Sequence, residues 1–530
     1  MMSEKYKKFL SLIVYQVYPR SFKDSNGDGI GDLRGVIEKL DYLKELGVNA
    51  IWLCPCYKSP NDDNGYDISD YRQIMDEFGT LDDAKELIKQ LHARGMKLIM
   101  DLVPNHTSTD HKWFKESRKS KDNPYSDYYY WADKPLNDWK SEFCGSAWQY
   151  DEVRGQYYLH SYAVSQADLN WENPAVVKEM QDVVDFWIDL GVDGFRCDVI
   201  DQISKDFENN RNCFGPRLHE FIHALFGREK TKDIFTVGEC WAGDIDEVRR
   251  HAASERGELS TLFQFEHIEC GRHNKWTPKK DSLKSVRDIL IKWQNLTIEN
   301  DLIYTLFTDN HDQSRYISRI GNDREFRYES ATCIGTMFYT LKGVPFIYQG
   351  QEFGMTAPHY DDINDFDDIE SYNMYDELCR EYTPEEALEK INFGSRDNTR
   401  RPLAWSGDKY AGFSSAEPWI KTYSLYKEIN LEKDLQSEKS VFGFYKKLLK
   451  LRSESPEILY GDFKVLSGKD DGYFAFIREF EGKKILVICN FEENSKIELG
   501  FDGKLLLSNY NRTSGADGEY SKYEIAVYGI

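Results

Sequence analysis

The sequence lacks any apolar run close to the ~20 residues that cross a membrane, and it carries little positive charge. Its 530 residues include 68 lysines and arginines against 91 aspartates and glutamates, so the net charge is −23. Such an acidic surface repels nucleic acids and anionic membranes. We therefore expect small-molecule partners, with neither nucleic acid nor membrane, and a monomeric protein.

Cysteine is also sparse, with ten residues in a chain too long for them to form a disulfide scaffold. Cys197, Cys333 and Cys489 lie inside apolar strand-like runs, as reduced thiols do. The stretch FLSLIVY follows several lysines, but it is short and lacks a small-residue cleavage site. We interpret it as a core strand rather than a signal peptide, and we expect a cytoplasmic protein.

Apolar strand-like runs alternate with amphipathic helical runs along most of the chain. This alternation is typical of parallel sheets, and eight such units predict a closed (β/α)8 TIM barrel. The predicted strands are 13–18, 50–53, 97–103, 194–199, 234–239, 262–266, 303–310 and 345–350.

Two regions depart from this pattern. Residues 105–173 are rich in Trp, Tyr, Asp and Asn and too long for a plain loop, so they predict a small domain inserted after strand three. Residues 457–530 contain short apolar runs separated by turn residues, which predicts a C-terminal antiparallel β-sandwich. The barrel is then expected to comprise residues 1–104 and 174–456.

Polar residues follow the predicted strands where each strand ends, and the active site of a barrel lies at those ends. Any one carboxylate there could merely cap the next helix, but several on neighbouring strands indicate a shared site. These residues are Asp101, Asn105, His106, Arg196, Asp198, Glu239, Asp309, Asn310, His311 and Asp312.

Paired carboxylates at one mouth favour glycoside hydrolysis, in which one attacks the anomeric carbon and the other protonates the leaving oxygen. An arginine beside the nucleophile is expected to keep it ionised by charge pairing. The second carboxyl must hold its proton near neutral pH.

The motifs GFRCDV, TVGE, DNHD and DLVPNH resemble the conserved regions of the α-amylase superfamily, glycoside hydrolase family 13. The longer stretches YQVYPRSFKDSNGDGIGDLRGV, QADLNW and RDNTRRP are similar to its oligo-1,6-glucosidase and dextran glucosidase branch. The resemblance implies Asp198 as nucleophile, Glu239 as acid/base and Asp312 as a third carboxylate that grips sugar hydroxyls. It further implies that the same subsite is lined by His106, Arg196 and His311.

The resemblance also implies residues that select the substrate. Asp67 and Arg400 are expected to pair around the terminal glucose and to enforce exo-action by blocking chain extension. Val199 follows the nucleophile, and it resembles the valine found at this position in α-1,6-specific enzymes. Threonine at the same position marks a preference for α-1,4 bonds. The remaining residues expected to border the sugars are Tyr66, Phe143, Gln166 and Trp241.

The implied activity is a retaining exo-α-glucosidase that cleaves terminal α-1,6 bonds of short isomalto-oligosaccharides. Alternatives within the family are an α-1,4- or sucrose-cleaving α-glucosidase, trehalose-6-phosphate hydrolase and sucrose isomerase. The segment 200–233 is shorter than usual for the branch, which affects the expected aglycone side. A non-catalytic relative, such as a transporter heavy chain, is disfavoured because all three carboxylates are present.

The loop Asp24–Asp32 spaces oxygen ligands as the first nine residues of an EF-hand do, with Gly29 at position 6. Position 12 is Gly35, so the bidentate glutamate is missing. The resemblance implies a structural calcium ion here, or magnesium in its place, and no organic cofactor. The expected ligands are Asp24, Asn26, Asp28, Ile30 and Asp32.

His219-Glu-Phe-Ile-His223 matches the HExxH signature of zinc peptidases, which places both histidines on one helix face. It falls between strands four and five, on the outer ring of the predicted barrel, and no third ligand is evident in the sequence. We therefore interpret it as a helix of the barrel rather than a peptidase site.

Overall fold

The computed structural model describes residues 4–513 and 515–530. Its centre is a sheet of eight strands, which we call β1 to β8 in chain order. They are β1 Val14–Val17, β2 Ala50–Leu53, β3 Lys97–Leu102, β4 Gly194–Cys197, β5 Phe235–Gly238, β6 Thr261–Leu262, β7 Thr305–Leu306 and β8 Val344–Tyr348.

The strands are parallel and lie in the order β6-β5-β4-β3-β2-β1-β8-β7. Threonine side chains connect the last pair, β6 and β7: Thr261 Oγ1 donates to the Ile303 carbonyl at 2.7 Å, and Thr305 Oγ1 donates to the Leu262 carbonyl at 3.0 Å. The predicted TIM barrel is confirmed, although β6 and β7 are only two residues long because side chains take over from the backbone ladder at this seam.

Helices surround the barrel, and several of them begin at residues whose side chains accept from free backbone N–H groups. Asn173 accepts from the Ala175 N–H at the start of the helix Pro174–Leu190, and Gly191 ends that helix with φ 105°. The helices of the described chain are α1 Glu4–Leu10, α2 Leu33–Glu38, α3 Leu40–Leu46, α4 Leu81–Ala93, α5 Lys112–Ser117, α6 Pro174–Leu190, α7 Leu218–Phe226, α8 Ile245–Ala252, α9 Leu283–Glu299, α10 Tyr316–Ile320, α11 Arg327–Tyr339, α12 Ile369–Leu378, α13 Pro384–Gly394, α14 Asp397–Arg400, α15 Leu431–Gln436, α16 Val441–Glu454 and α17 Pro456–Tyr460.

The predicted insertion after β3 is present as small antiparallel sheets. Its strands are His106–Ser108 paired with Gln166–Asp168, and Trp131–Ala132, Gln156–Leu159 and Trp148–Asp151 in a three-stranded sheet. Two further hairpins stand outside the barrel, pairing Tyr57–Lys58 with Asp70–Ile74 and Arg272–Asn274 with Thr277–Pro278.

The C-terminal region folds as the predicted sandwich, and its first strand follows α17. A five-stranded antiparallel sheet faces a two-stranded one, and a separate apolar cluster that includes Ile477, Leu486, Ile497 and Tyr520 fills the space between them. The strands are Asp462–Val465, Tyr473–Phe480, Lys483–Asn490, Ile525–Gly529 and Lys504–Ser508 in the first sheet, and Ser495–Ile497 and Gly518–Tyr520 in the second.

Two expectations concerned the chain's surroundings. Among the residues described, no helix is long and apolar enough to cross a membrane. All ten cysteines are described and are unpaired. A cytoplasmic location and a monomeric state stay predictions.

Candidate active site

The register of three neighbouring strands brings the catalytic candidates together. Arg196 of β4 pairs with Asp101 of β3 on one side and with Val237 of β5 on the other. The ladder continues beyond the strands, since the Asp198 N–H donates to the Leu102 carbonyl and the Glu239 N–H to the Cys197 carbonyl, both at 2.8 Å. Asp198 and Glu239 therefore project from adjacent strand ends.

One buried guanidinium binds three carboxylates in this cluster. Arg196 Nη1 lies 2.9 Å from Asp101 and 2.7 Å from Asp198, and its Nη2 lies 2.5 Å from Glu239. Asp101 also accepts from the Trp52 indole at 3.0 Å and the Tyr66 hydroxyl at 3.1 Å. Sequence reasoning noted Asp101 at its strand end but gave it no role.

The cluster carries one positive and three negative groups, so it favours retention of a proton. Burial raises the pKa of Asp198 well above its usual value and that of Asp101 to about 6, although Arg196 lowers both. The expectation that Arg196 keeps Asp198 ionised is thus incomplete, because burial and the neighbouring carboxylates oppose it. The proton belongs to the cluster as a whole.

Asp312, in contrast, is held as an anion. Its carboxylate lies 3.0 Å from His311 Nε2, 2.8 Å from Arg400 and 3.5 Å from Arg396. Burial alone would raise the pKa of Asp312, but the charges of Arg400 and Arg396 lower it well below its usual value. Burial lowers the pKa of His311 to about 3, so its ring is neutral at neutral pH.

His311 and Tyr66 form an aromatic wall of the site. Their rings stack with centroids 5.3 Å apart and planes 9° apart, and the Tyr66 hydroxyl lies 2.5 Å from His311 Nε2. Gln16 Nε2, from the interior of β1, lies 2.8 Å from His311 Nδ1 and fixes the ring. Sequence reasoning missed Gln16, although a buried glutamine within the apolar strand VYQV was a signal for a polar partner.

The predicted pairing of Asp67 with Arg400 is wrong. Asp67 is fully buried and accepts from Ser59 Oγ at 2.8 Å and from the Asp62 and Asp63 N–H groups at 2.9 and 3.1 Å. Arg400 donates to the His311 carbonyl at 2.9 Å and to Asp312. Both residues lie behind the site and position other residues there.

The ion pair at that end of the site joins Asp63 and Arg396, whose atoms lie 3.0 Å apart. A left-handed turn at Asn64 (φ 49°) and Gly65 (φ 98°) turns the carboxylate of Asp63 toward the cavity. Arg396 and Arg400 stand four residues apart across α14, which explains why the RDNTR motif alone does not separate their roles.

Further contacts hold this pair in place. Arg396 binds both oxygens of Asp368, at 2.5 and 2.9 Å, and lies 4.9 Å above the ring of Phe143. Gln166 donates to Asp63 at 2.9 Å and lies 3.2 Å from His106 Nε2, so it braces two lining residues. Asp368 follows an irregular segment, and the sequence offered no signal for it.

These groups surround a cavity of about 660 Å³, within the ~300–1,000 Å³ range of small-molecule sites. Val199 borders it in a left-handed conformation (φ 34°), which is rare for a β-branched residue and re-aims the chain after Asp198. Trp241 is 51% exposed and stacks on Phe265 at 4.4 Å. The predicted residues on the cavity wall are Tyr66, His106, Phe143, Asp198, Val199, Glu239, Trp241 and Asp312.

The carboxylates of the loop Asp24–Asp32 accept hydrogen bonds from within the loop and from Ser414. Asp24 accepts from three backbone N–H groups and from Ser414, Asp32 accepts from Ser25 and Gly35, and Asp28 accepts from Asn26 and Ile30. In the described chain these three carboxylates do not form a group whose oxygens all lie within 4.8 Å of one another. Calcium stays a prediction.

Position 12 of this loop cannot hold the missing glutamate. A Cβ on Gly35 would lie 1.9 Å from the Lys23 carbonyl oxygen, so only glycine fits. The loop therefore keeps EF-hand spacing at its start without the residue that completes an EF-hand.

Two carboxylates that share an arginine beside a sugar-sized cavity are suited to cleaving a glycosidic bond. Fold and site together define a glycoside hydrolase.

Comparison with known proteins identifies the family. Residues 16–461 match the alpha amylase catalytic domain. The chain is 46% identical to an oligo-1,6-glucosidase of Parageobacillus thermoglucosidasius, and the alignment covers 94% of each chain. It is 42% identical to a trehalose-6-phosphate hydrolase of Bacillus subtilis, over 90% of this chain and 89% of that protein. A solved trehalose-6-phosphate hydrolase of Bacillus licheniformis superimposes with a TM-score of 0.93 at 42% identity, over 98% of this chain and 99% of that one. The chain belongs to the α-amylase family, glycoside hydrolase family 13.

Proposed function

We propose that this protein is a retaining exo-α-glucosidase that hydrolyses terminal α-1,6-glucosidic bonds of short isomalto-oligosaccharides and releases glucose. The observation that carries the proposal is the shared contact of Arg196 with Asp198 and Glu239. Retaining enzymes hold their two carboxyl groups about 5–5.5 Å apart, whereas inverting ones leave room for a water molecule. One guanidinium that contacts both groups favours the shorter separation.

In the proposed reaction, Glu239 donates the cluster's proton to the glycosidic oxygen while Asp198 attacks the anomeric carbon. The bond to the aglycone breaks, and a β-glucosyl ester forms on Asp198. Glu239, now a base, takes a proton from water, which attacks the same carbon and releases α-glucose. Asp312, held ionised by its arginines, grips the sugar hydroxyls.

Exo-action is supported by the Asp63–Arg396 pair. Both residues line the cavity, are at least 93% buried and are fixed by Gln166 and Asp368. A rigid charged pair at the end of a pocket presents donors and acceptors to a terminal glucose and leaves no passage for a longer chain. We propose this pair for the role that the sequence had suggested for Asp67 and Arg400.

The α-1,6 linkage is supported by the named oligo-1,6-glucosidase relative and by the aglycone side of the cavity. Val199 and Trp241 present apolar surface there. An α-1,6 linkage adds a flexible carbon that can lie against such a wall.

Trehalose-6-phosphate hydrolysis is the second candidate, because the superimposed structure is of that enzyme and Arg272, His273 and Lys275 line the cavity. However, Arg272 is paired with Glu269, and Lys275 with Glu370. Cations already neutralised by carboxylates attract a phosphate less strongly. The charge balance at the rim therefore favours a neutral aglycone.

A substrate panel separates the two. Initial rates should be measured side by side on isomaltose, maltose, sucrose and trehalose 6-phosphate, with the anomer of the first glucose followed by NMR. We expect the highest kcat/KM on isomaltose and α-glucose as the first product. Fastest cleavage of trehalose 6-phosphate would support the second candidate, and β-glucose as the first product would contradict retention.

A further inference from the structure

A cluster of metal-ligating side chains lies on the outer helices, apart from the cavity. His219 on α7 meets Glu247 and His251 on α8, and one ligand atom from each can be chosen so that all three lie within 4.8 Å of one another. In the described chain, none of the three lines the active-site cavity. His223, the other histidine of the HExxH motif, instead has its Nδ1 2.9 Å from the Arg256 carbonyl oxygen.

The separations within the cluster suit a small cation. His219 Nε2 lies 3.8 Å from Glu247 Oε1, and His251 Nδ1 lies 3.3 Å from the same oxygen. Tetrahedral zinc, with bonds of about 2.0–2.2 Å, places its ligand atoms about 3.3–3.6 Å apart. Arg250 pairs with the other oxygen of Glu247, which leaves Oε1 for the ion.

A buried carboxylate orients the first histidine. His219 Nδ1 lies 2.8 Å from Glu258 Oε2, and the Glu258 side chain is only 2% exposed. This bond places the proton on Nδ1 and leaves the lone pair of Nε2 directed away from Glu258. Carboxylate–histidine–metal arrangements use this contact to fix the ring and raise its basicity.

The second histidine is buried and incompletely bonded. His251 is fully buried, its Nδ1 lies 2.9 Å from the Glu247 carbonyl oxygen, and its Nε2 has no hydrogen-bond partner in the described chain. The nitrogen that faces Glu247 Oε1 is Nδ1, at 3.3 Å. Metal binding there moves the ring proton from Nδ1 to Nε2, so the ring stays neutral and the bond to the Glu247 carbonyl is exchanged for a metal–nitrogen bond.

We propose that His219, Glu247 and His251 bind a zinc-class divalent ion, with water as the fourth ligand. Solvent reaches the site because the His219 side chain is 27% exposed. The ion would clamp α7 to α8, the helices that follow β4 and β5, and would act in stability rather than in catalysis. This proposal is independent of the proposed glucosidase activity.

The test is zinc binding to the full-length enzyme after removal of metals with EDTA. Calorimetric titration with zinc chloride should show one saturable equivalent per chain, and cobalt chloride should give the visible absorption of a tetrahedral site. His219→Ala and His251→Ala should abolish both signals. His223→Ala is the matched control, and it should bind zinc as the wild type does.

Zinc binding should also depend on Glu258, which orients His219. Glu258→Gln should weaken binding by about 10–100-fold, the usual cost of losing such a supporting contact. If a histidine variant fails to fold, Glu247→Gln and an anomalous zinc signal in a crystal of the wild type serve in its place. Absence of saturable binding to the wild type, or its loss in His223→Ala, would overturn the proposal.

Discussion

Each end of the cavity is built around a buried arginine, but the two arginines are placed differently. Arg196 lies on β4, and its carboxylate partners come from β3, from its own strand end and from the end of β5. Arg396 lies before α14, and its partners come from a turn after β2, from the segment after β7 and from the start of α12. Strand register therefore places the carboxylates around Arg196, whereas loop conformations place those around Arg396.

The charges of the two sets differ as well. Around Arg196, burial raises the pKa of Asp101 and Asp198, so that set favours retaining a proton. Near Arg396, Asp312 and Asp368 have lowered pKa values despite burial, since Arg396 and Arg400 lie close to both. Asp63 differs from these two, because burial raises its pKa although Arg396 and Arg400 oppose this. Two of the three carboxylates near Arg396 are thus held as anions, whereas Asp101 and Asp198 near Arg196 both favour a proton, which matches the proposed division between binding and chemistry.

The largest effect should come from Asp198→Asn at the Arg196 end. Loss of the nucleophile should lower kcat by on the order of 10⁴- to 10⁶-fold. The melting temperature should be equal or higher, because two carboxylates then share the guanidinium in place of three. Steady-state kinetics and calorimetric melting measure the two quantities. A variant with reduced stability would show that Asp198 is needed for the fold and would contradict a purely catalytic role.

The Arg396 end should respond differently, with Arg396→Ala raising KM and lowering kcat together because the same contacts bind and orient the terminal glucose. We expect kcat/KM on isomaltose to fall by about 10²-fold or more. Asp67→Asn is the comparison variant, and its main effect should be on stability. If Asp67→Asn impaired binding as strongly as Arg396→Ala, the assignment of Asp63 and Arg396 would fail.

A smaller effect is expected from Val199→Thr, on the aglycone side. Valine and threonine are similar in shape but not in chemistry, and pocket contacts of this kind discriminate by about 1–3 kcal/mol. The ratio of kcat/KM for maltose to that for isomaltose should rise by about tenfold or more. An unchanged ratio would leave linkage preference to Trp241 and the 200–233 segment.

The smallest effect concerns calcium, which the sequence predicts in the loop Asp24–Asp32. Because the loop already satisfies its own carboxylates, calcium should raise the melting temperature by only about a few degrees relative to chelator. Asp28→Ala, a change at an exposed residue of the loop, should remove this difference. Unfolding in chelator alone would show that the ion is essential to the fold.

Strand patterns predicted the barrel and the Arg196 cluster well, because ladder register converts sequence position into spatial position. The predicted lengths of β6 and β7 were too great, since threonine side chains replace backbone pairing there. The Asp63–Arg396 pair was missed by four residues on each side. Its geometry depends on a left-handed turn and on contacts between distant segments, and spacing alone does not encode either.

The central claim is that Asp198 is the nucleophile of a retaining glucosidase. It is tested most directly by trapping the glycosyl-enzyme with a fluorinated α-glucosyl fluoride, followed by peptide mass spectrometry. We expect one glucosyl residue per chain, on Asp198. A label on Glu239 or Asp312, or turnover of the reagent with no covalent adduct at any time, would contradict the claim.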